Sequence, residues 1–341
     1  MGVFSFIRVH PCSSVSRNLF MARKRKGIPI DGWLAIDKPV GIGSTQVVSI
    51  VRRTLNAAKV GHGGTLDPLA DGILPIALGE ATKTVQWVMD GAKTYRCTIC
   101  FGQARSTDDL EGEVIATSDV RPSAQAINDI LPRFTGDISQ VPPIFSAIKV
   151  AGERAYDLAR AGEQVDLKAR VVTIHGLTVL GMPDADHVDL EVRCGKGTYI
   201  RSLARDLAVA LGSVGHITRL RRRACGPFTE QNAISLDKFT TLGHLPALRA
   251  YLLPIETALD DIPALALTAA EARRLHSGQV LAIGQLADRD ALPALPRNLT
   301  VRAMDGNRLV ALACCDGTEV RSLRVINLQP SHAGEDDVDY A

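Results

Sequence analysis

The 341-residue chain is 46% apolar but only 4% aromatic, enough for one large domain and a smaller one around a core of Val, Leu, Ile and Ala. Its formal net charge of +2 gives no overall sign of nucleic-acid binding, although Arg23-Lys24-Arg25-Lys26 and Arg219, Arg221, Arg222 and Arg223 form basic runs that the acidic end (Glu335, Asp336, Asp337, Asp339) offsets. No run of about 18 apolar residues is present, which excludes a membrane-spanning helix, and the odd count of 7 Cys argues against a disulfide framework.

Residues 1–20 lack acidic side chains and carry Ser and Arg, a composition that weakly resembles a transit peptide. Met21, standing just before the first basic run, reads instead as the natural start, and 1–30 as an N-terminal extension. Gly32 to Ile36 predicts a strand. Ser44 predicts an N-cap for a helix reaching about Asn56, with Val47, Val48, Val51 and Leu55 on one face. Lys59 to Pro68 is Gly-rich and predicts a loop, Ile73 to Leu78 a strand, and Glu80 to Met89 a helix. Tyr95 to Phe101 alternates as a strand. Cys97 and Cys100 are three apart on it and point to opposite faces; with no companion pair, metal or redox use has no support. Asp108, Asp109, Glu111 and Gly112 mark a polar loop.

Ser123 predicts a cap for a helix through Leu131, Val141-Pro142-Pro143 a break, and Ala155 to Arg160 a short helix. Val171 to Leu180 and Val188 to Cys194 predict strands. Tyr199 to Leu211 predicts a helix with Ile200, Leu203, Leu207 and Leu211 inward. The elements follow no βαβ repeat, so the fold class is α+β. Beyond residue 260 the texture changes. A helix over Ala269 to His276 precedes three strands in Val301 to Ile326, divided by the hairpin signals Asp305-Gly306-Asn307 and Asp316-Gly317.

The densest chemistry lies in Gly61-His62-Gly63-Gly64-Thr65-Leu66-Asp67-Pro68-Leu69-Ala70-Asp71-Gly72. Pro68 holds the backbone of Asp67 out of the helical region. Such an Asp is a nucleophile, a general base, a metal ligand or a plain turn residue. No metal-ligand pattern surrounds it, and no phosphate-binding or dinucleotide loop occurs in the chain. A carboxylate acting without a cofactor is what remains on the functional side.

Further stretches complete a pattern: Asp37-Lys38-Pro39 with Gly41, Gly79-Glu80-Ala81-Thr82-Lys83, Lys93-Thr94-Tyr95-Arg96, Pro142-Pro143 with Ser146-Ala147-Ile148-Lys149, Gly197-Thr198-Tyr199-Ile200-Arg201-Ser202, and Leu220-Arg221-Arg222. In this order and spacing, over Asp31 to Phe228, the chain resembles the bacterial TruB-type tRNA pseudouridine synthases, which modify uridine 55 in the T-arm of tRNA. Gly63, Thr65 and Asp71 depart from the commoner Thr, Ala and Thr. The resemblance implies a catalytic domain with a mixed or antiparallel sheet over 31–258, a small PUA-like β domain over 264–328, and an acidic tail over 329–341.

It also implies roles. Asp67 matches the catalytic aspartate, with attack on sugar, attack on the base ring and a glycal route all open to it. Tyr95 matches the aromatic that stacks on the extracted base and relays its C5 proton. Arg201 matches the arginine paired with the carboxylate, and His62 the residue entering the space of the flipped base. Leu220 matches an apolar wall of the uracil pocket, and Lys38 serves the turn or an RNA backbone contact. The expectation is a cytoplasmic, monomeric isomerase that acts on tRNA with no cofactor, no metal, no membrane and no protein partner. Two readings compete: a non-catalytic RNA-binding or chaperone protein, and a guide-dependent synthase. A binder leaves Asp67, Tyr95 and Arg201 unexplained together, because a carboxylate repels phosphate.

Overall fold

The computed structural model describes residues 27–146, 148–150, 152–163, 165–286 and 298–328. The basic run at Arg23, most of the N-terminal extension with Met21, and the acidic tail lie outside them.

In chain order the larger part comprises β1 (Gly32–Lys38), α1 (Ser44–Thr54), β2 (Val60–His62), β3 (Asp71–Leu78), α2 (Val85–Asp90), β4 (Lys93–Phe101) and a hairpin of β5 (Gln103–Arg105) and β6 (Val114–Thr117). Then come α3 (Ala124–Ile130), β7 (Gly136–Gln140), a minimal hairpin of β8 (Lys149–Val150) and β9 (Glu153–Arg154), α4 (Ala155–Arg160), β10 (Arg170–Gly181) and β11 (His187–Cys194). The part closes with α5 (Ile200–Ala210), β12 (Gly215–Cys225), β13 (Phe228–Thr229), β14 (Ala233–Ser235), α6 (Leu236–Leu242) and α7 (Leu245–Leu248). Its sheet runs β14-β1-β3-β12-β4-β11-β10-β7, with β2 on β3 and β13 on β12. Most pairs are antiparallel; β1–β14 and β3–β12 are parallel. The mixed sheet of the α+β expectation is therefore present.

β3 is buried on both faces, as its near-continuous apolar run requires. Leu74, Ile76 and Leu78 face the main core with Leu34 and Ile36 of β1. Ile73 and Ala77 face a second core with Trp33 and Ala35, and this one is completed from the far end of the chain by Leu309, Leu312 and Ile326. Those residues belong to the smaller part: β15 (Ala264–Ala266), α8 (Ala269–His276), β16 (Leu281–Ala282), β17 (Leu299–Asp305), β18 (Arg308–Cys315) and β19 (Glu319–Val325), in a separate sheet ordered β15-β17-β18-β19-β16. The three C-terminal strands and α8 stand where the sequence placed them.

The expected helix over Glu80 to Met89 is broken. Gly79–Lys83 is a 3₁₀ turn and α2 begins only at Val85. Asp31 accepts the Glu80 N–H at 2.7 Å within this turn. Gly79 has φ +53, and a Cβ there would lie 2.1 Å from Asp31 Oδ1. The turn then docks the smaller part: Lys83 Nζ donates to Val325 O at 2.8 Å, and Glu80 accepts from the Asn327 N–H at 2.6 Å.

Ser44 is not the N-cap. Gly43 holds that position and Ser44 opens the helix. The Ser44 hydroxyl is instead buried, accepting from Leu66 N at 2.8 Å and donating to Leu66 O at 2.9 Å. This serine pins the residue before Asp67.

Candidate active site

Asp67 lies in a turn fixed from three sides. Ser44 holds Leu66, the Ala70 N–H returns to Asp67 O at 3.1 Å, and the Gly41 N–H reaches Pro68 O at 2.8 Å. The carboxylate remains 40% exposed, facing a cavity of about 680 Å³. Pockets of this size accept small organic ligands, and a nucleoside falls within that class.

Arg201, the second residue of α5, enters from the opposite wall. Its Nη2 stands 2.8 Å from Asp67 Oδ2, and its side chain is 7% exposed. The guanidinium also donates to Thr107 O and Phe145 O, both at 3.0 Å, and its Nε lies 3.6 Å from Asp109 Oδ2. Asp109 is itself held by the Thr107 hydroxyl and the Glu111 N–H. One buried arginine is thus braced against a buried carboxylate so that it presents one edge to an open one.

Tyr95, Leu220 and His62 line the same cavity. Leu220 and Tyr95 come from neighbouring strands; Leu220 pairs with Cys97 and Arg222 with Tyr95 in the β4–β12 ladder. Burial pushes the Tyr95 phenol up to about 12, against the opposing charge and hydrogen bond of Arg222, so it stays protonated at neutral pH. His62 lies on the short strand β2 rather than in the expected loop, and it is half-buried. Burial, then the Arg222 charge, lower its pKa and keep the ring neutral. Leu220, 8% exposed, serves the main core and the cavity wall at once.

Lys38 corrects the expectation of an RNA backbone contact. It is fully buried, and its ammonium donates to Pro39 O at 2.9 Å and Ile42 O at 2.8 Å. It ties the turn after β1 and has no surface to offer a phosphate.

The basic run at Arg219 is no uniform basic face. Arg221 is engaged by Asp37 and Glu230, with Asp71 at 3.4 Å, and Arg223 by Glu230 and Glu191. Arg222 is 1% exposed and lines the cavity. Among the described residues no three His, Cys, Asp or Glu side chains gather in a metal-binding arrangement. The Cys97 thiol is buried and pushed up to about 12 by that burial, the charge of Asp189 and Cys194 adding to it.

Comparison with known proteins gives this geometry a family. Residues 52–200 match the TruB family pseudouridylate synthase N-terminal domain, and residues 201–260 the tRNA pseudouridylate synthase B C-terminal domain. A tRNA pseudouridine synthase B of Rhodospirillum rubrum is 59% identical over 308 residues, covering 90% of this chain and 100% of its own. The chain belongs to the TruB family. A second TruB relative, from Caulobacter sp. strain K31, is 51% identical and covers 90% of this chain and 100% of its own. Among solved structures, a chain of a Cbf5-Nop10-Gar1 complex superposes with a TM-score of 0.68 at 28% identity, covering 87% of this chain and 85% of that one.

The border between the two TruB matches falls at the first turn of α5, inside the fold. The second match contributes β12, which sits in the middle of the large sheet. Sequence reasoning had assembled Asp67, Tyr95, Arg201, His62 and Leu220, and the fold brings all five to one cavity. It missed Asp109 and Arg222. In the sequence Arg222 stands only in a basic run beside Leu220; its place on the cavity wall is set by β12, where it pairs with Tyr95 of β4.

Proposed function

We propose that this TruB-family chain isomerises uridine 55 in the tRNA T-arm to pseudouridine, with Asp67 as the reacting carboxylate. One observation carries the reading: Asp67 is the exposed partner of a buried, braced arginine, at the wall of a cavity of about 680 Å³ that also bears a tyrosine and a leucine. The reaction must detach uracil from C1′, turn it and rejoin it through C5. Asp67 attacks the sugar or the ring, or removes a sugar proton. Arg201 orients the carboxylate. Tyr95 stacks on the extracted base and passes on the C5 proton, Leu220 forms an apolar wall of the pocket, and His62 enters the space near the flipped base.

The domains proposed are a catalytic one over 31–258 and a PUA-like one over 264–328. The enzyme works as a cytoplasmic monomer, with neither cofactor nor protein partner. The guide-dependent reading has the Cbf5 likeness in its favour; the stand-alone reading has the 59% identity to a bacterial tRNA pseudouridine synthase B. The test is the purified chain alone on an unmodified T-arm stem-loop. The proposal expects pseudouridine at position 55 and nowhere else in the loop. Product only after addition of a guide RNA and partner proteins supports the guide-dependent form. Binding without any product supports a chaperone.

A further inference from the structure

Arg222 is a buried cation with no carboxylate within ion-pairing distance among the described residues. A charge taken out of water in this way is costly unless its hydrogen bonds are met. They are met by the backbone that carries the site. Nε donates to Ile73 O at 2.7 Å, Nη2 to Gly64 O at 3.0 Å and Nη1 to Thr65 O at 3.3 Å. Gly64 and Thr65 lead into Leu66-Asp67, and Ile73 lies in β3, the strand that follows. The strand pairing fixes the base of the side chain: β3 and β12 approach so closely that a Cβ on Gly72 would lie 2.2 Å from Arg222 O. On its other side Arg222 pairs with Tyr95 directly across the β4–β12 ladder, and both side chains line the cavity.

We propose that Arg222 is a positioning residue, whose single guanidinium holds the loop before Asp67 and the hydroxyl of Tyr95 in one fixed relation on the wall of the base cavity. Its planar fork of five N–H donors serves several acceptors at set angles, which a lysine ammonium cannot do. The proposal deepens the reading of Asp67 and Tyr95 given above and rests on it.

The test is a double-variant cycle on the full chain. Single-turnover rate, T-arm affinity and melting temperature are measured for Arg222→Gln, Arg222→Lys, Tyr95→Phe and Arg222→Gln/Tyr95→Phe. Arg222→Gln is expected to slow the reaction by about 10²-fold or more with affinity within about threefold, the order of effect of an acid–base group put out of place. Arg222→Lys is expected to fall between Gln and wild type. Groups that act as a unit are non-additive, so in the Tyr95→Phe background Arg222→Gln should cost no more than about tenfold. A near wild-type rate for Arg222→Gln beside a slow Tyr95→Phe overturns the proposal and leaves Tyr95 in place. Losses that multiply also overturn it, because Arg222 would then act apart from Tyr95. A wild-type rate for Tyr95→Phe alone overturns the underlying reading of the hydroxyl, whatever Arg222 does. Should Arg222→Gln melt below the assay temperature, Arg222→Lys decides: an intermediate rate at unchanged affinity supports the role, and a wild-type rate sinks it.

Discussion

Replacing Arg201 by Met separates what this arginine does for the fold from what it does for the site. The substitution keeps most of the volume and removes the charge. Asp109, with a side chain 5% exposed, loses the guanidinium 3.6 Å away, and the carbonyls of Thr107 and Phe145 lose donors at 3.0 Å. Removing one partner of a buried ion pair costs about 3–5 kcal/mol, chiefly because the other charge stays behind. Asp67 adds little to that sum, since its carboxylate is 40% exposed and water replaces the lost partner. Arg201→Met should therefore destabilise by about 3–5 kcal/mol in urea unfolding. Adding Asp109→Asn, which removes the stranded charge, should recover a good part of the loss without restoring pseudouridine formation. If Asp109→Asn recovers no stability in that background, or if Asp67→Asn recovers more, the bracing by Asp109 is refuted.

Two further perturbations follow from packing and charge. Gly63→Ala would put a Cβ 2.8 Å from a Val88 methyl and 3.2 Å from its Cβ; Val88 is 1% exposed and stiff, so the overpacking should cost about 1–3 kcal/mol in urea melts, and Val88→Ala should relieve it. For Lys38, burial, only partly offset by Asp71 and Asp67, lowers the pKa from 10.5 to about 8. The folded chain therefore sheds this proton before the unfolded chain does, so the penalty is full below pH 8 and fades between there and 10.5. Relative to Lys38→Met, the wild type should gain stability over that window, by up to about 3 kcal/mol; a pH-independent difference would show that the ammonium is not desolvated as described.

Local sequence made some parts legible and hid others. Asp67 stood out because its turn is written in adjacent residues, glycines before it and a proline after. The helix after Tyr199 and the alternating strand at Val188 were legible because each buries one regular face. The stretch Glu80 to Met89 read as one helix, but its first turn is a 3₁₀ turn whose Glu80 and Lys83 are engaged by residues near the C-terminus, contacts that no local pattern shows. Ser44 has the chemistry of a cap, but a loop 22 residues on engages its hydroxyl first. Arg222 read as part of a basic run because three of its neighbours are arginines. Only the pairing of β12 with β3 and β4 turns it inward, and that pairing joins segments more than a hundred residues apart.

The central claim is that Asp67 performs the chemistry while the rest of the site binds and presents the base. Tritium released from uracil C5 of a tRNA transcript reports the reaction directly, since rejoining through C5 expels that hydrogen. Phosphate contacts supply most of the affinity for RNA, so Asp67→Asn should bind the tRNA as the wild type does and release no tritium above background in a single turnover. Release by purified Asp67→Asn at a rate approaching that of the wild type would contradict the account.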